Sequence, residues 1–264
     1  MLQRRAAAGA AVAAAAAAVS TLTAGTLLGL GGCSLLRRPS PIKMDVFFDD
    51  QACRAQAPVL LVFLPGAHMR TSELLEQGFV AAVRQRRLAV DVALADAHLG
   101  YVQDGSLLHR LEEDVLAPAR AQGYRRFWLA GISLGGYGAM AYALQHPGQI
   151  EGLVCLAPYL GRRQLLQDIT AAGGPAAWRM HAVPRDADDA DHALWLGLSA
   201  AHTLPPLYLG YGAEDRFAQG HRLLAGLLPA ERVQVQPGGH DWPPWRALWA
   251  QWLDRRLWPT ACAA

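Results

Sequence analysis

The five-residue motif Gly131–Gly135, of the form G-x-S-x-G, constrains the fold of this chain more than any other segment. The apolar run before it, 126–130, predicts a buried strand, and the segment after it, 136–144, has the composition of a helix. A strand, a sharp turn and a helix around this motif form a nucleophile elbow. The glycines make room for a strained backbone, so we expect the Ser133 hydroxyl to project from the carboxyl end of a strand.

Further apolar runs predict a mostly parallel sheet with helices on both faces, which is an α/β fold. The runs are 59–64, 88–94, 153–157, 207–211 and 233–235. No strand pattern occurs between Pro158 and Pro205, so we expect a small helical insert at about 159–204, over the site. The acidic run 186–191 within it is typical of a solvated loop. Sites in such sheets gather at the carboxyl ends of the strands.

A serine hydroxyl is a weak nucleophile, and it needs a base and an acid that orients the base. After a nucleophile elbow the expected chain order is Ser, then Asp or Glu, then His. His240 is the only histidine after the last predicted strand, and it follows two glycines. Asp215 follows the strand before that one and is the expected acid, with Glu214 and Asp241 as rivals. The predicted catalytic residues are Ser133, Asp215 and His240.

An oxyanion hole requires two backbone N–H donors near the reacting carbonyl oxygen. We expect one from Leu134, the residue after the predicted nucleophile. The other is expected from Ala67, in the loop that follows the first long apolar run. In that loop His68 either lines the pocket or caps the loop, and no proton transfer is assigned to it.

Three segments together resemble the α/β-hydrolase family: 131–139, the Asp215 loop and 239–245. The His-Asp-Trp sequence followed by a second tryptophan resembles the esterase D-like branch, which includes carboxylesterases, feruloyl esterases and mycolyltransferases. The resemblance covers about residues 59–258. It implies an α/β-hydrolase fold and a serine hydrolase that cleaves small-molecule carboxylic esters or thioesters through an acyl-enzyme. It implies neither a metal nor an organic cofactor.

Other functions are compatible with the same residues. The predicted triad also supports acyl transfer to an alcohol other than water, and peptidase activity is a further alternative. A non-catalytic binding protein on a hydrolase scaffold is the third. Nucleic-acid binding is not expected, because 24 basic and 22 acidic side chains give a net charge of only +2 without a basic stripe. The sequence leaves the oligomeric state open.

The N-terminal 32 residues have the features of an export signal, since Arg4 and Arg5 precede a long apolar run. The run ends in 30–34, Leu-Gly-Gly-Cys-Ser, which resembles the lipobox of bacterial lipoproteins. That resemblance implies cleavage before Cys33, its lipidation, and a lipid-anchored protein on the periplasmic face of the cell envelope. The alternative is an uncleaved anchor, because about 20 apolar residues can span a bilayer.

The predicted organisation is a signal peptide over 1–32, a tether and leading segment over 33–58, the hydrolase domain over 59–258 and a tail over 259–264. The antiparallel strands that usually precede the first core strand in this family are expected to be abbreviated here to the segment 43–48.

The other cysteines and the C-terminal tryptophans have structural interpretations. Cys155 lies in an apolar run and is expected to be a buried thiol. Cys53 and Cys262 lie near the two ends of the folded part, and an export compartment permits a disulfide between them. Sequence alone leaves that pairing open. The spacing of Trp242, Trp245, Trp249 and Trp252 places them on one helix face, as a packing surface or a ligand platform.

Overall fold

The computed structural model describes residues 43–182, 189–200 and 204–262. The predicted export signal over 1–32 and the predicted lipid-carrying Cys33 lie outside these residues. Among the helices of the described part, none is long and apolar enough to cross a membrane.

A single mostly parallel sheet organises the described residues. Its strands are β1 Val46–Asp49, β2 Val59–Leu64, β3 Val90–Ala95, β4 Phe127–Ile132, β5 Gly152–Leu156, β6 Leu207–Gly212 and β7 Val233–Gln236. Their order across the sheet is β1-β3-β2-β4-β5-β6-β7, with β1 antiparallel to β3 and every other pair parallel. Every residue of β2, β3, β4 and β5 is buried, as expected for strands covered on both faces.

Helices cover both faces of this sheet. They are α1 Thr71–Glu76, α2 Phe79–Gln85, α3 Leu99–Gln103, α4 Leu107–Leu111, α5 Ala117–Ala121, α6 Leu134–Gln145, α7 Arg163–Ala171, α8 Pro175–His181, α9 Ala190–Leu198, α10 Ala218–Ala225 and α11 Trp242–Asp254. The helices α7, α8 and α9 form the insert between β5 and β6 that the sequence predicts. A short 3-10 turn, Ala230–Arg232, precedes β7.

The helical segment from Leu107 to Ala121 contains a π-helical turn, Glu112–Leu116, between α4 and α5. Pro118 explains this turn. It has no N–H to donate to the carbonyl four residues earlier, and its ring would clash with that carbonyl in a regular α-helix. The wider turn relieves this conflict without ending the helical segment.

The folded part begins before Val59. Val46 in β1 lies opposite Ala95 in β3, and Met44 is buried. The single short strand β1 therefore takes the place of longer leading strands. Cys53 is bonded to Cys262, with their Cα atoms 5.8 Å apart, so the segments at the two ends of the domain are joined covalently. Cys155 is a free, fully buried thiol, and burial raises its pKa to about 12.

Two of the four tryptophans in α11, Trp249 and Trp252, contact aromatic rings of the sheet. Trp245, Trp249 and Trp252 are buried, whereas Trp242 is half-buried. The Trp249 ring meets the ring of Phe63 in β2 at a centroid distance of 5.3 Å, and its Nε1–H donates to the Phe79 carbonyl. The tryptophan stripe is therefore mainly a packing surface.

The disulfide closes a long segment, with 209 residues of sequence separation between its cysteines. We expect the double substitution Cys53→Ser and Cys262→Ser to lower the free energy of unfolding by about 2–5 kcal/mol, because the unfolded chain gains conformational freedom. Urea unfolding monitored by tryptophan fluorescence measures this loss. Dithiothreitol should bring the wild type to the same stability and leave the double variant unchanged. Equal stability of oxidised wild type and double variant would contradict the prediction.

Candidate active site

Ser133 lies in a sharp turn between β4 and α6. Its backbone has φ 53° and ψ −113°, a conformation that residues with a side chain adopt only under strain. The two flanking positions must be glycine, because a Cβ atom at either one would overlap neighbouring backbone. A Cβ atom on Gly131 would lie 2.3 Å from the Gly135 carbonyl carbon, and one on Gly135 would lie 2.1 Å from the Leu64 carbonyl oxygen. This geometry is the nucleophile elbow that the motif predicts.

Neighbouring backbone holds the strained residue on both sides. The Ser133 N–H donates to the Leu156 carbonyl at 2.9 Å, at the end of β5. The Ser133 carbonyl accepts from the N–H groups of Tyr159 at 2.8 Å and Tyr137 at 3.1 Å. With its backbone fixed in this way, the side chain of Ser133 is directed into the open cavity beyond the carboxyl ends of the strands.

The structure brings Ser133, His240 and Asp215 into one hydrogen-bonded chain. His240 Nε2 is 3.0 Å from Ser133 Oγ, and His240 Nδ1 is 2.8 Å from Asp215 Oδ2. Because an ionised carboxylate only accepts hydrogen bonds, Nδ1 carries the ring proton in the neutral imidazole. The lone pair of Nε2 therefore faces the serine hydroxyl.

Asp215 is buried at the end of the loop after β6. Burial alone would raise the pKa of its carboxyl, but the hydrogen bonds from His240 and from the Phe217 N–H at 2.8 Å outweigh it. The net result is a pKa below the ordinary value for Asp, so Asp215 is a carboxylate at neutral pH. Glu214 and Asp241, the two other candidates for the acid of the triad, have different contacts. Glu214 accepts from the Gly238 N–H, and the exposed Asp241 is the N-cap residue of α11.

Two aromatic rings hold the imidazole of His240 in place. The edges of Phe217 and Trp245 meet the His240 ring at centroid distances of 5.0 Å each, with interplanar angles of 81° and 89°. Sequence reasoning placed Trp245 on a helix face, as a packing surface or a ligand platform, and gave Phe217 no role. Its position two residues after Asp215 was the available signal.

The residues expected to form the oxyanion hole line the same cavity as Ser133. Leu134 is the first residue of α6, so its N–H is one of those that have no acceptor within the helix. Ala67 lies in a tight turn closed by the hydrogen bond from the Met69 N–H to the Gly66 carbonyl. His68 also lines the cavity. The hydrogen-bonding roles of Leu134 and Ala67 stay predictions.

The cavity in front of Ser133 has a volume of about 630 Å³. Its walls are mainly apolar and aromatic, and include Tyr137, Tyr159 and Phe217. Burial, followed by the nearby Asp191 charge, raises the pKa of Tyr159 to about 12 and also raises the pKa of Tyr137. Both phenols are therefore neutral in the physiological range. Asp191 and the exposed Arg216 are the charged groups at its rim.

An ionic cluster holds the insert against this cavity. Arg162 binds Asp189 at 2.8 Å and Asp191 at 3.3 Å, and the Tyr159 hydroxyl donates to Asp191 at 3.2 Å. The start of α9 is thus joined to the loop that follows β5. Of the acidic run 186–191 expected to form a solvated loop, Asp189 and Asp191 are partners of one arginine, and residues 186–188 lie outside the described part of the chain.

A buried histidine that sequence reasoning missed lies beneath the site. His221 in α10 is fully buried, and its Nε2 is 2.9 Å from the Pro158 carbonyl oxygen. Burial lowers the pKa of His221 to about 4, so the imidazole is neutral and donates to that carbonyl. His221 therefore supports the segment whose next residue, Tyr159, binds the Ser133 carbonyl.

No group of three or more His, Cys, Asp and Glu side chains among the described residues could hold a metal ion. The chemistry proposed below is built from the chain's own side chains and backbone.

Comparison with known proteins agrees with this geometry. A family model described as serine aminopeptidase, S33, matches residues 97–187, which include the elbow. The S-formylglutathione hydrolase of Staphylococcus aureus is similar in structure, with a TM-score of 0.54, 16% identity, and coverage of 83% of this chain and 98% of that one. No curated protein matches the chain by sequence.

Two further solved structures have the same fold. Est1E from Butyrivibrio proteoclasticus has a TM-score of 0.54 at 16% identity, covering 80% of this chain and 92% of its own. The monoacylglycerol lipase of Paleococcus ferrophilus has a TM-score of 0.53 at 16% identity, covering 80% and 98%. The fold is thus that of the α/β-hydrolases, and the family match indicates an enzyme of the serine hydrolase class.

The buried His221 makes the stability of the fold depend on pH. An unfolded chain protonates this histidine near pH 6.5, whereas the folded chain resists protonation until about pH 4. The unfolded state therefore binds more protons between these values, and the free energy of unfolding falls as pH falls, by roughly 1 kcal/mol per pH unit. His221→Phe should remove this slope in urea unfolding between pH 6.5 and 4.5.

The matched control is His181→Gln, at an exposed position in α8, which should keep the slope. Carboxylates with a lowered pKa, such as Asp215, lose their contribution only below this window, as pH falls under about 3.8. An unchanged slope in His221→Phe would contradict the assignment.

Proposed function

We propose that this protein hydrolyses carboxylic esters or thioesters of small molecules through a covalent acyl-enzyme on Ser133. The observation that carries the proposal is the hydrogen-bonded chain from Asp215 through His240 to Ser133, with contacts of 2.8 and 3.0 Å at the edge of a large apolar cavity. This arrangement has the roles required for nucleophilic catalysis, namely an activated hydroxyl, a base and a group that orients the base.

In the first half-reaction, Ser133 Oγ attacks the acyl carbon and His240 Nε2 takes the hydroxyl proton. The carbonyl π electrons move to the oxygen and form a tetrahedral oxyanion. When this intermediate collapses, the bond to the alcohol or thiol breaks, and the leaving group takes the proton from His240. The acyl group is then bonded to Ser133.

In the second half-reaction, water attacks the same carbon and gives a proton to His240. Collapse of the second tetrahedral intermediate breaks the bond to Ser133 Oγ, which recovers the proton. The products are a carboxylic acid and an alcohol or thiol, from one ester and one water molecule.

Charge develops at two points during these steps, and the site is arranged to stabilise both. The Asp215 carboxylate, whose pKa is lowered, faces the imidazolium that forms when His240 is protonated. We assign the oxyanion to the backbone N–H groups of Leu134 and Ala67, two residues that line the same cavity as Ser133.

The similar solved structures support a small-molecule ester as substrate. They include an S-formylglutathione hydrolase, a ferulic acid esterase and Est1E with ferulic acid bound. The aromatic, largely apolar cavity of this chain suits an organic acyl group better than a highly charged one. No cofactor enters the proposed reaction.

A peptidase is the second candidate, because the matched family model is described as a serine aminopeptidase. An aminopeptidase must bind the free α-amino group of a peptide. The carboxylate of the cavity lining that could bind this group is Asp191. Asp191 is already paired with Arg162 and Tyr159. This pairing favours the esterase, and release of p-nitroaniline from aminoacyl p-nitroanilides at a rate above that of esters would reverse the choice.

We also propose that the protein is exported and held at the periplasmic face of the envelope by a lipid on Cys33. The Cys53–Cys262 disulfide supports an oxidising compartment, since such bonds are rare in the cytosol. An uncleaved N-terminal anchor is the alternative.

Substitution of the catalytic residues tests the esterase. With p-nitrophenyl acetate, Ser133→Ala should reduce kcat to background, a loss of about 10⁶-fold. Asp215→Asn should reduce it about 10⁴-fold, because the imidazole takes the wrong tautomer. Asp241→Asn, at an exposed acid beside His240 in sequence, is the matched control and should keep activity near the wild-type value.

Labelling with a fluorophosphonate probe distinguishes a protein without a reactive serine from an enzyme whose ester substrate was not among those assayed. It should label the wild-type protein at Ser133 and fail to label Ser133→Ala. Absence of labelling in folded wild-type protein would favour the non-catalytic binding protein.

Metabolic labelling tests the anchor. A bacterial host fed an alkyne analogue of palmitate should incorporate it into the wild-type protein but not into Cys33→Ser. The mature wild-type chain should then lack residues 1–32 by mass spectrometry. An unlabelled wild-type chain that retains its N-terminus would support the uncleaved anchor instead.

A further inference from the structure

We propose that a second, apolar cavity beside the active site binds the hydrocarbon chain of the acyl group, so that the preferred substrates are esters of medium- to long-chain fatty acids. This inference rests on the proposed ester hydrolysis at Ser133 and names its substrate class. The cavity, called the acyl groove below, has a volume of about 610 Å³ and lies between α4, α6 and α9.

The acyl groove adjoins the active-site cavity. Tyr137 in α6 and Ala190 in α9 line both spaces. Tyr137 follows Ser133 by one helical turn, and its N–H donates to the Ser133 carbonyl. In the proposal, a chain bonded to Ser133 enters the groove past the Tyr137 ring.

One stripe of α6 forms the first wall. Tyr137, Ala141, Leu144 and Gln145 line the groove, at the i, i+4, i+7 and i+8 spacing of a single helix face. The helix carries no charged residue, and its outer stripe is apolar apart from the Tyr137 hydroxyl and the Gln145 amide at the far end. Helices that are apolar all round normally have every face covered, yet Ala141 and Leu144 are only half-buried.

A matching stripe of α9 forms the second wall. Ala190, Ala193, Leu194 and Gly197 line the groove with the spacing i, i+3, i+4 and i+7. The alanines leave space that larger residues would fill, whereas Leu144 packs against Gly197, where a Cβ atom would lie 2.6 Å from Leu144 Cδ1. Leu108 of α4 adds a further apolar contact. A groove walled mainly by small and aliphatic side chains offers more contacts to hydrocarbon than to polar groups.

Both walls run away from the catalytic serine. Tyr137 and Ala190, the shared residues, mark the near end, and Gln145 and Gly197 lie about two helical turns, or roughly 11 Å, further on. The groove is therefore elongated, and a linear chain fits this shape better than a ring system.

We assign the groove to the acyl part of the ester and not to the alcohol, because the position of His240 determines where the leaving alcohol lies. His240 protonates the leaving oxygen, so the alcohol lies on the His240 side, near Phe217 and Trp245. From there, ring contacts lead to Tyr159, 6.4 Å from Phe217, and then to Tyr137, 6.1 Å from Tyr159. The groove opens at the end of this series that is farthest from His240.

Groove-filling substitutions test the proposal against a series of p-nitrophenyl esters from acetate through butyrate and octanoate to laurate. Wild-type kcat/KM should rise from acetate to laurate. Ala193→Leu should lower the ratio of laurate to acetate kcat/KM by about tenfold or more, since a few methylene contacts in a hydrophobic pocket are worth that much. Ala193→Glu should lower it further, because a carboxylate in the groove must be desolvated by the chain.

The position of each substitution along the groove provides a second, independent test, because it should set the longest acyl chain that the enzyme accepts. Ala141→Leu, one turn from Tyr137, should shorten the longest accepted chain more than Gln145→Lys, two turns away. The matched control is Ala176→Leu, at an exposed alanine of α8 outside both cavities, and it should leave the whole profile unchanged. Rates with acetate should stay near wild type in every groove variant.

A binding measurement keeps the groove separate from turnover. Titration calorimetry should show laurate binding to Ser133→Ala and a loss of binding of at least tenfold when Ala193→Glu is added. If the wild-type protein hydrolyses no ester, the proposed function fails, and this titration still decides whether the groove binds hydrocarbon. A laurate-to-acetate ratio that is unchanged in both Ala193 variants, or laurate binding that is indifferent to Ala193→Glu, would overturn the proposal.

Discussion

The backbone conformation of Ser133 is the constraint on which the rest of the site depends. A residue with a side chain at positive φ costs free energy, and here a hydrogen bond to the Leu156 carbonyl and hydrogen bonds from the N–H groups of Tyr137 and Tyr159 hold it. The same turn brings Gly135 so close to Leu64 that no larger residue fits. The sheet, through β2, β4 and β5, thus fixes the direction of one hydroxyl, and the loops after β6 and β7 bring Asp215 and His240 to it.

Much of this arrangement was predictable because it is encoded locally. Parallel strands buried on both faces appear as continuous apolar runs, and the observed strands coincide with the predicted runs to within a few residues. The elbow motif and the chain order identified Ser133, Asp215 and His240, which the structure brings together. The π-helical turn was missed because apolar spacing does not register the missing N–H of Pro118.

Residues whose roles depend on tertiary contacts escaped sequence reasoning. Phe217 and Tyr159 matter through ring contacts across loops that are distant in sequence, and no periodic pattern marks them. His221 is one of nine histidines, and only its burial against Pro158 distinguishes it. The acidic run suggested solvated side chains because its partner, Arg162, lies more than twenty residues away.

The disulfide near the two ends of the domain has a mechanical consequence. Cys53 and Cys262 enclose nearly the whole sheet in one covalent loop. A pulling force applied at the two ends of the chain passes from one cysteine to the other through the sulfur bridge. The strands and helices between them then carry none of that load, so the catalytic geometry is shielded from tension for as long as the bridge stays oxidised.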